Sequence, residues 1–179
     1  IASGENTVNA IANKVKERES TILYSLEKLI SVGLVEKIKC ITEENNKKKT
    51  QYVLKDNMFK FYYEFIPKAI SVIEMGQGEI YYKKVVKPLI HLFMGPVFEN
   101  MCRYYTLKHG IQNEFGSFIT NVGSWWGSEL IVNEYNEKKV QSADIDVVGI
   151  SPLDKSFIVG ECKFKNEKVD KNVYLTLVR

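Results

Sequence analysis

One stretch limits the possible folds more than any other: residues 142–165, SADIDVVGISPLDKSFIVGECKFK. It holds two short runs rich in Val, Ile and Phe, 145–150 and 157–164, with Asp154 and Lys155 between them. Runs of this length and composition, bounded by turn residues, read as strands, and so short a polar connection joins them as a hairpin. Side chains alternate faces along a strand, so Glu161 and Lys163 project to one side while Cys162 and Phe164 project to the other. Asp146 on the preceding strand can stand beside them. Two carboxylates and one ammonium then converge at one place.

Phosphodiester hydrolysis uses that mixture. Hard oxygen ligands hold Mg²⁺ or Mn²⁺, the ion polarises the phosphate and acidifies bound water, and a cation orients the nucleophile or offsets charge in the transition state. On this reading Asp146 and Glu161 ligate the ion, the backbone carbonyl of Cys162 supplies a third protein oxygen, and Lys163 stands against the attacking water. The plainer alternative is that Lys163 snorkels from an edge strand and Asp144 is a turn residue.

The chain before this stretch divides in two. Val8, Ile11, Ala12 and Val15 recur at helical spacing over 7–16, and Leu23, Leu26, Leu29 and Ile30 do so over 20–32. Ser20 is the expected N-cap of the second helix and Gly33 its stop. Strand-like runs at 34–41 and 50–54 flank a polar tract that ends in Lys47, Lys48 and Lys49. Helix, turn, helix and a ribbon with a basic tip is the winged-helix order, with Thr21, Tyr24, Ser25 and Lys28 outward on the second helix and the three lysines at the wing tip as DNA contacts. Residues 58–94 are aromatic and apolar and read as a helical linker whose aromatic stripe is core. Pro96 suits the first turn of a new helix bearing Val97, Phe98, Met101, Cys102 and Tyr105. Further strands are expected near 118–122 and 129–134, and a last helix from 171 to 179.

Bulk properties close off other classes. There are three cysteines, an odd number, far apart and without a C-x-x-C pair, and only His91 and His109 stand by to help hold zinc. Reduced thiols in a cytoplasmic protein are the simplest reading. No apolar run reaches about 18 residues, so no membrane partner is expected. The start has neither a signal-peptide layout nor an initiator Met, so Ile1 reads as a boundary within a longer protein. A net charge of +3 is too small to argue for nucleic acid alone. Its clustering says more: Lys47 to Lys49, then Lys83, Lys84 and Lys87, then Lys163, Lys165, Lys168 and Lys171.

Two resemblances sharpen this. STILYSLEKLISVGLVEK resembles the passage from second helix to wing in winged helix-turn-helix domains, whose first helix would be cut off here. The spacing D-x(14)-E-x-K resembles the PD-(D/E)xK superfamily of restriction-endonuclease-like folds. GPVFENMCRYY, GSWWG, DIDVVG and GECKFK, in that order, are similar to the C-terminal region of a family of archaeal and bacterial P-loop ATPases. The resemblance implies an α+β chain: a winged helix-turn-helix at 1–57, a helical linker at 58–94, and a nuclease-like α/β domain with a mixed sheet at 95–179, its C-terminal part missing. It also implies that Glu99, in GPVFE, is the acidic residue such cores place on their first helix, although Glu99 is equally spaced to pair with Arg103 one turn on. The acidic-Ile-Asp step reads Asp144-Ile145-Asp146, so Asp144 competes with Asp146 as ligand. No G-x-x-x-x-G-K-[ST] loop occurs, so an ATPase partner would lie upstream.

The function expected is a metal-dependent DNA endonuclease with Glu99, Asp146, Glu161 and Lys163 as its catalytic set. Its rival is a non-catalytic DNA-binding or protein-interaction module built on a degenerate nuclease fold. Substrate form and oligomeric state, including whether an oligomer forms, stay open.

Overall fold

The computed structural model describes residues 1–132, 136 and 138–178, with only the backbone of Lys47 and Val132. It is an α+β chain with two small antiparallel sheets. Two compact units form: Ile1–Ile38 with Thr50–Phe93, and Lys39–Lys49 with Met94–Arg179. No helix among the described residues is long and apolar enough to cross a membrane.

In the first unit, α1 (Val8–Val15) starts where the Thr7 side chain accepts from the Ala10 amide at 3.3 Å, satisfying a free N-terminal donor. The second helix, α2, runs Glu19–Ser31, so Ser20 lies inside it and Arg18 holds the cap position with no side-chain bond. The expected Ser20 cap is therefore corrected. Gly33 does end the helix, at φ +76°, a left-handed backbone that suits glycine. Strands β1 (Val35–Lys39) and β2 (Thr50–Leu54) pair, and Ile11, Ala12, Ile22, Leu26, Val35 and Tyr52 close one apolar core under them.

Helix α3 (Asn57–Phe65) is capped by Asp56, which accepts from Met58 N at 2.6 Å. Short helices α4 (Ile70–Glu74) and α5 (Gly78–Tyr81) and a π-helical turn (Tyr82–Val86) follow. The aromatic stripe is core only in part. Phe61, Phe65 and Phe93 pack with centroids 5.0–6.0 Å apart, whereas Tyr62, Tyr63 and Tyr82 are exposed. Helix α6 runs unbroken from Lys87 to Gly110, so Pro96 does not start it. Proline removes one backbone bond in a helix, and the turns on either side here supply enough others to carry it through.

The second unit is organised by one sheet, β3-β4-β5: β3 (Asn121–Val132), β4 (Lys138–Ile150) and β5 (Phe157–Gly160). Both pairings are antiparallel, so the mixed sheet expected from the sequence is not found among the described residues. The separate strands expected at 118–122 and 129–134 are one long strand through GSWWG; residues 133 and 134 lie outside the described residues, as does Arg179 of the expected last helix, seen as α7 (Lys171–Leu177). The pairing slips between Gly123 and Trp125. Such a bulge frees a carbonyl from the ladder, and Ser124 O there accepts from Ile41 N at 3.1 Å. Cys40 and Ile41 are buried in the same packing.

Ile119, fully buried, locks helix to sheet. A Cβ on Gly110 would stand 2.5 Å from Ile119 Cβ, and one on Gly149 2.9 Å from its Cγ2. Only glycine lets α6 and β4 approach this side chain so closely. The turn before β5 is made as expected, with Lys155 at φ +57°. Asp154 accepts from Ser156 N and Oγ and from Ser117 Oγ, and these bonds, the Ser156 hydroxyl foremost, hold its carboxyl far below the usual range.

Candidate active site

Strand β5 ends at Gly160, paired with Val147, so Glu161, Cys162 and Lys163 are not on a strand. The alternation that was to bring Glu161 and Lys163 to one face therefore does not apply. A different device holds them. Asp146 Oδ2 accepts the Cys162 N–H at 2.7 Å, and Phe164 packs on Phe98 of α6 with centroids 5.7 Å apart. A side chain has taken over the donor that a ladder would have used. The Lys163 ammonium then bonds the Glu161 carboxylate directly. That carboxylate holds the ammonium above its ordinary pKa against the opposing pull of burial.

Helix α6 brings the third component. Arg103 donates from Nη1 to the Asp146 carbonyl at 2.6 Å and from Nη2 to Asn100 Oδ1 at 2.7 Å, with Glu99 Oε2 3.7 Å away. The Glu99–Arg103 pair anticipated from their spacing is thus present, and Arg103 also ties the helix to β4. Its reach to Asp146 was missed; spacing to Glu99 was the only clue. Burial, then the carboxylate of Asp146, raises the Glu99 pKa; Arg103 partly offsets this, and Asp144 and Glu161 add to it. Burial, a hydrogen bond with Cys102 and the charges of Asp146 and Glu99 push the Cys162 thiol up to about 12, so it stays protonated at neutral pH.

The Glu99 shift has a consequence for stability. A carboxyl with a raised folded pKa favours folding fully below its ordinary value of 4.5, and that contribution is lost as pH rises through the folded pKa. In metal-free buffer, Glu99→Gln is expected to raise the melting temperature at pH 7, with the gain fading below about pH 4. Scanning calorimetry across that range checks it; a variant less stable than the parent at pH 7 would mean that the pair with Arg103 outweighs the repulsion.

A cleft of about 480 Å³ opens beside these groups, lined by Trp125, Glu129, Gln141, Asp144, Glu161 and Lys163 and by Val173, Thr176 and Leu177 of α7. Strand β5 pairs only with Val147–Ile150, so among the described residues the edge of β4 before Val147 has no strand partner, and the cleft follows it. Asp144, not Asp146, lines the cleft with Glu161 and Lys163. Carboxylate oxygens are the donors Mg²⁺ and Mn²⁺ accept, so the donor chemistry fits. Among the described residues, however, no three His, Cys, Asp or Glu groups are arranged to hold an ion together: Asp146 is committed to Cys162 N and Glu161 to Lys163.

Residues 62–173 match the model of DUF234, described as archaea bacterial proteins of unknown function. The chain belongs to this family. The DUF234 match takes in Glu99, Asp146, Glu161 and Lys163 and begins after α1, α2 and both ribbon strands. An uncharacterized protein of Methanocaldococcus jannaschii, MJECL04, is 27% identical over the whole of this chain, which spans 38% of that relative's length. No solved structure matches.

In this DUF234 chain the expected nucleic-acid contacts separate into two groups. Thr21, Tyr24, Ser25 and Lys28 are exposed on α2, where Ser25 Oγ donates to Thr21 O at 3.0 Å and the Lys28 ammonium lies 4.2 Å from the Tyr24 ring centroid. The ribbon tip belongs to the second unit. There Lys49 pairs with Glu43 at 2.5 Å and stands 5.7 Å from the Trp125 ring centroid, while Lys48 is exposed. Lys47 is placed in the 3₁₀ turn with them, its side chain outside the described residues.

Proposed function

We propose that residues 95–178 form a Mg²⁺- or Mn²⁺-dependent DNA phosphodiesterase of the PD-(D/E)xK, restriction-endonuclease-like type. Residues 1–57 act as a winged helix that contacts DNA, and an upstream P-loop ATPase domain works with both in the cytoplasm. The observation that carries the reading is the cleft in which Asp144, Glu161 and Lys163 meet while Asp146 tethers Cys162 beside them.

Each residue has a part. Asp144 and Glu161, which line the cleft, would hold the ion, with water filling its other positions, while Asp146 holds the loop that carries Glu161; the ion, when bound, would polarise the phosphate and acidify a water. Lys163, an ammonium that Glu161 holds still further above its ordinary pKa, orients the water and offsets charge on the phosphoryl oxygens. Arg103, through the Asp146 carbonyl, fixes where that carboxylate emerges from β4. Incubating the chain with single-stranded and duplex DNA, with Mg²⁺ or Mn²⁺ and with chelator, tests the whole. Cleavage that needs the ion supports the reading, and none with either ion on either substrate counts against it.

A second reading has specific support. Glu161 is neutralised by Lys163, and Lys49 of the ribbon tip by Glu43, as in a module that binds without cutting. DNA binding that ignores chelator, with no cleavage, favours it.

The winged-helix assignment predicts a salt dependence that differs by residue. Lys28→Ala and Lys48→Ala should each flatten the slope of log affinity against log salt by about 1, because each removes one phosphate contact and its released counterion. Lys49→Ala should do less, since Glu43 already offsets its charge. Anisotropy titrations over a range of salt check this, and equal slopes for all three variants and the parent would reassign residues 1–57 to protein contacts.

A further inference from the structure

The indole of Trp125 is set apart from the other aromatics by what surrounds it. It lies across Gly127, where a Cβ would stand 2.8 Å from its Cζ2. Any other residue there would push the ring off the sheet. The Lys49 ammonium is 5.7 Å from its centroid and 3.3 Å from that same Cβ position, so a cation stands beside the ring over the glycine. The ring is half-buried and lines the cleft that holds Asp144, Glu161 and Lys163. Lys49 is already paired with Glu43, so it borders the ring without adding net charge, and a braced indole opening into a polar cleft is a platform for a flat ligand.

Size and charge narrow the class. About 480 Å³ falls within the range of small-molecule pockets, roughly 300–1,000 Å³, and admits one nucleotide but not a paired duplex. Among the described residues the cleft is lined by the carboxylates of Asp144, Glu129 and Glu161 and by the ammonium of Lys163. On the phosphodiesterase reading a divalent cation would enter with the phosphate and offset its charge. Gln141 donates to Glu129 at 2.5 Å across the β3–β4 pair.

The cleft also runs along an edge. Alternation along β3 and β4 puts Trp125, paired with Ile145, on one face of the sheet and Asp144, paired with Trp126, on the other. A ligand that touches Trp125 and Asp144 together must therefore cross the open edge of β4. An extended single strand does this, with its base laid on one face and its backbone turned over the edge.

We infer that Trp125 is the base-stacking platform of a single-strand nucleic-acid subsite, which seats one unpaired nucleotide on the indole and turns its phosphate toward Asp144, Glu161 and Lys163. The location of the phosphate rests on the phosphodiesterase reading; the base platform rests on the indole and its surroundings.

The test uses the whole chain and a short fluorescein-labelled oligothymidylate, with Ca²⁺ as the divalent ion so that binding is read without cleavage. Trp125→Ala is expected to weaken binding about 5- to 150-fold, the usual loss when one base–aromatic stack is removed, and Trp125→Phe to recover most of it. Chelator should weaken the parent as well. In a Trp126→Phe background, where Trp125 is the sole indole, its fluorescence should be quenched on binding; this readout holds even if Trp125→Ala fails to fold by circular dichroism. An unquenched indole, equal affinity in parent and Trp125→Ala, or no binding of the single strand by the parent would each overturn the platform. Cleavage is scored separately with Mg²⁺. Quenched binding without cleavage would sink the phosphodiesterase reading and leave the subsite standing, while cleavage with an unquenched indole would do the reverse.

Discussion

Lys163→Ala is expected to lower the cleavage rate by about 10²-fold or more while leaving Mn²⁺ affinity unchanged or raised. The ammonium is bonded to Glu161, so its removal frees a carboxylate for the ion at the same time as it strips positive charge from the reacting phosphate. Glu161→Gln should behave differently. It removes a ligand oxygen and the ion-pair partner that positions Lys163, so affinity and rate fall together, and added Mg²⁺ restores part of the rate. Excess Mg²⁺ should never restore the Lys163 variant. Single-turnover cleavage over a Mg²⁺ titration, beside calorimetric Mn²⁺ binding, separates the two. Rates that recover alike in both variants would show that Lys163 acts only by holding Glu161 in place.

The second large effect concerns the scaffold. Ile119→Ala is expected to destabilise the second unit by about 2–5 kcal/mol, toward the upper end, because the cost of a buried truncation grows with the cavity left behind. Two of its neighbours are Gly110 and Gly149, which have no side chains to relax into the space. The loss should reach the site, since Ile119 joins the end of α6 to β4 and those elements carry Glu99, Arg103, Asp144 and Asp146. Gly149→Ala is the complementary test: its methyl would sit 2.9 Å from Ile119 Cγ2, and overpacking of this kind costs about 1–3 kcal/mol. Urea unfolding followed by far-ultraviolet dichroism measures both. A change under about 1 kcal/mol for Ile119→Ala would contradict the close packing of helix and sheet.

The sequence by itself determined the local elements wherever one periodicity dominated. The helical spacing of Val8, Ile11, Ala12 and Val15, the β-branched run at 145–150, the stop at Gly33 and the turn at Asp154 and Lys155 all report short-range preferences that tertiary contacts did not override. Composition likewise carried the gathering of acidic residues and a lysine around residue 161, because those side chains lie within a few positions of one tight hairpin.

Three-dimensional packing decided the rest. Ser124 bulges because Ile41, more than eighty positions away, takes its carbonyl; no local signal in GSWWG encodes that contact. Strand β5 stops at Gly160 because the Asp146 carboxylate claims the Cys162 amide, which turns an expected strand into a tethered loop and leaves the edge of β4 open. Pro96 sits inside α6 because the helix bonds on both sides outweigh the one it removes. Trp125 became a feature of the cleft only when Gly127 braced it and the ribbon tip brought Lys49 to its ring. Apart from Pro96, each of these turns on which partner elsewhere in the chain wins a given donor, carbonyl or surface, and that competition is settled only when the whole chain is folded.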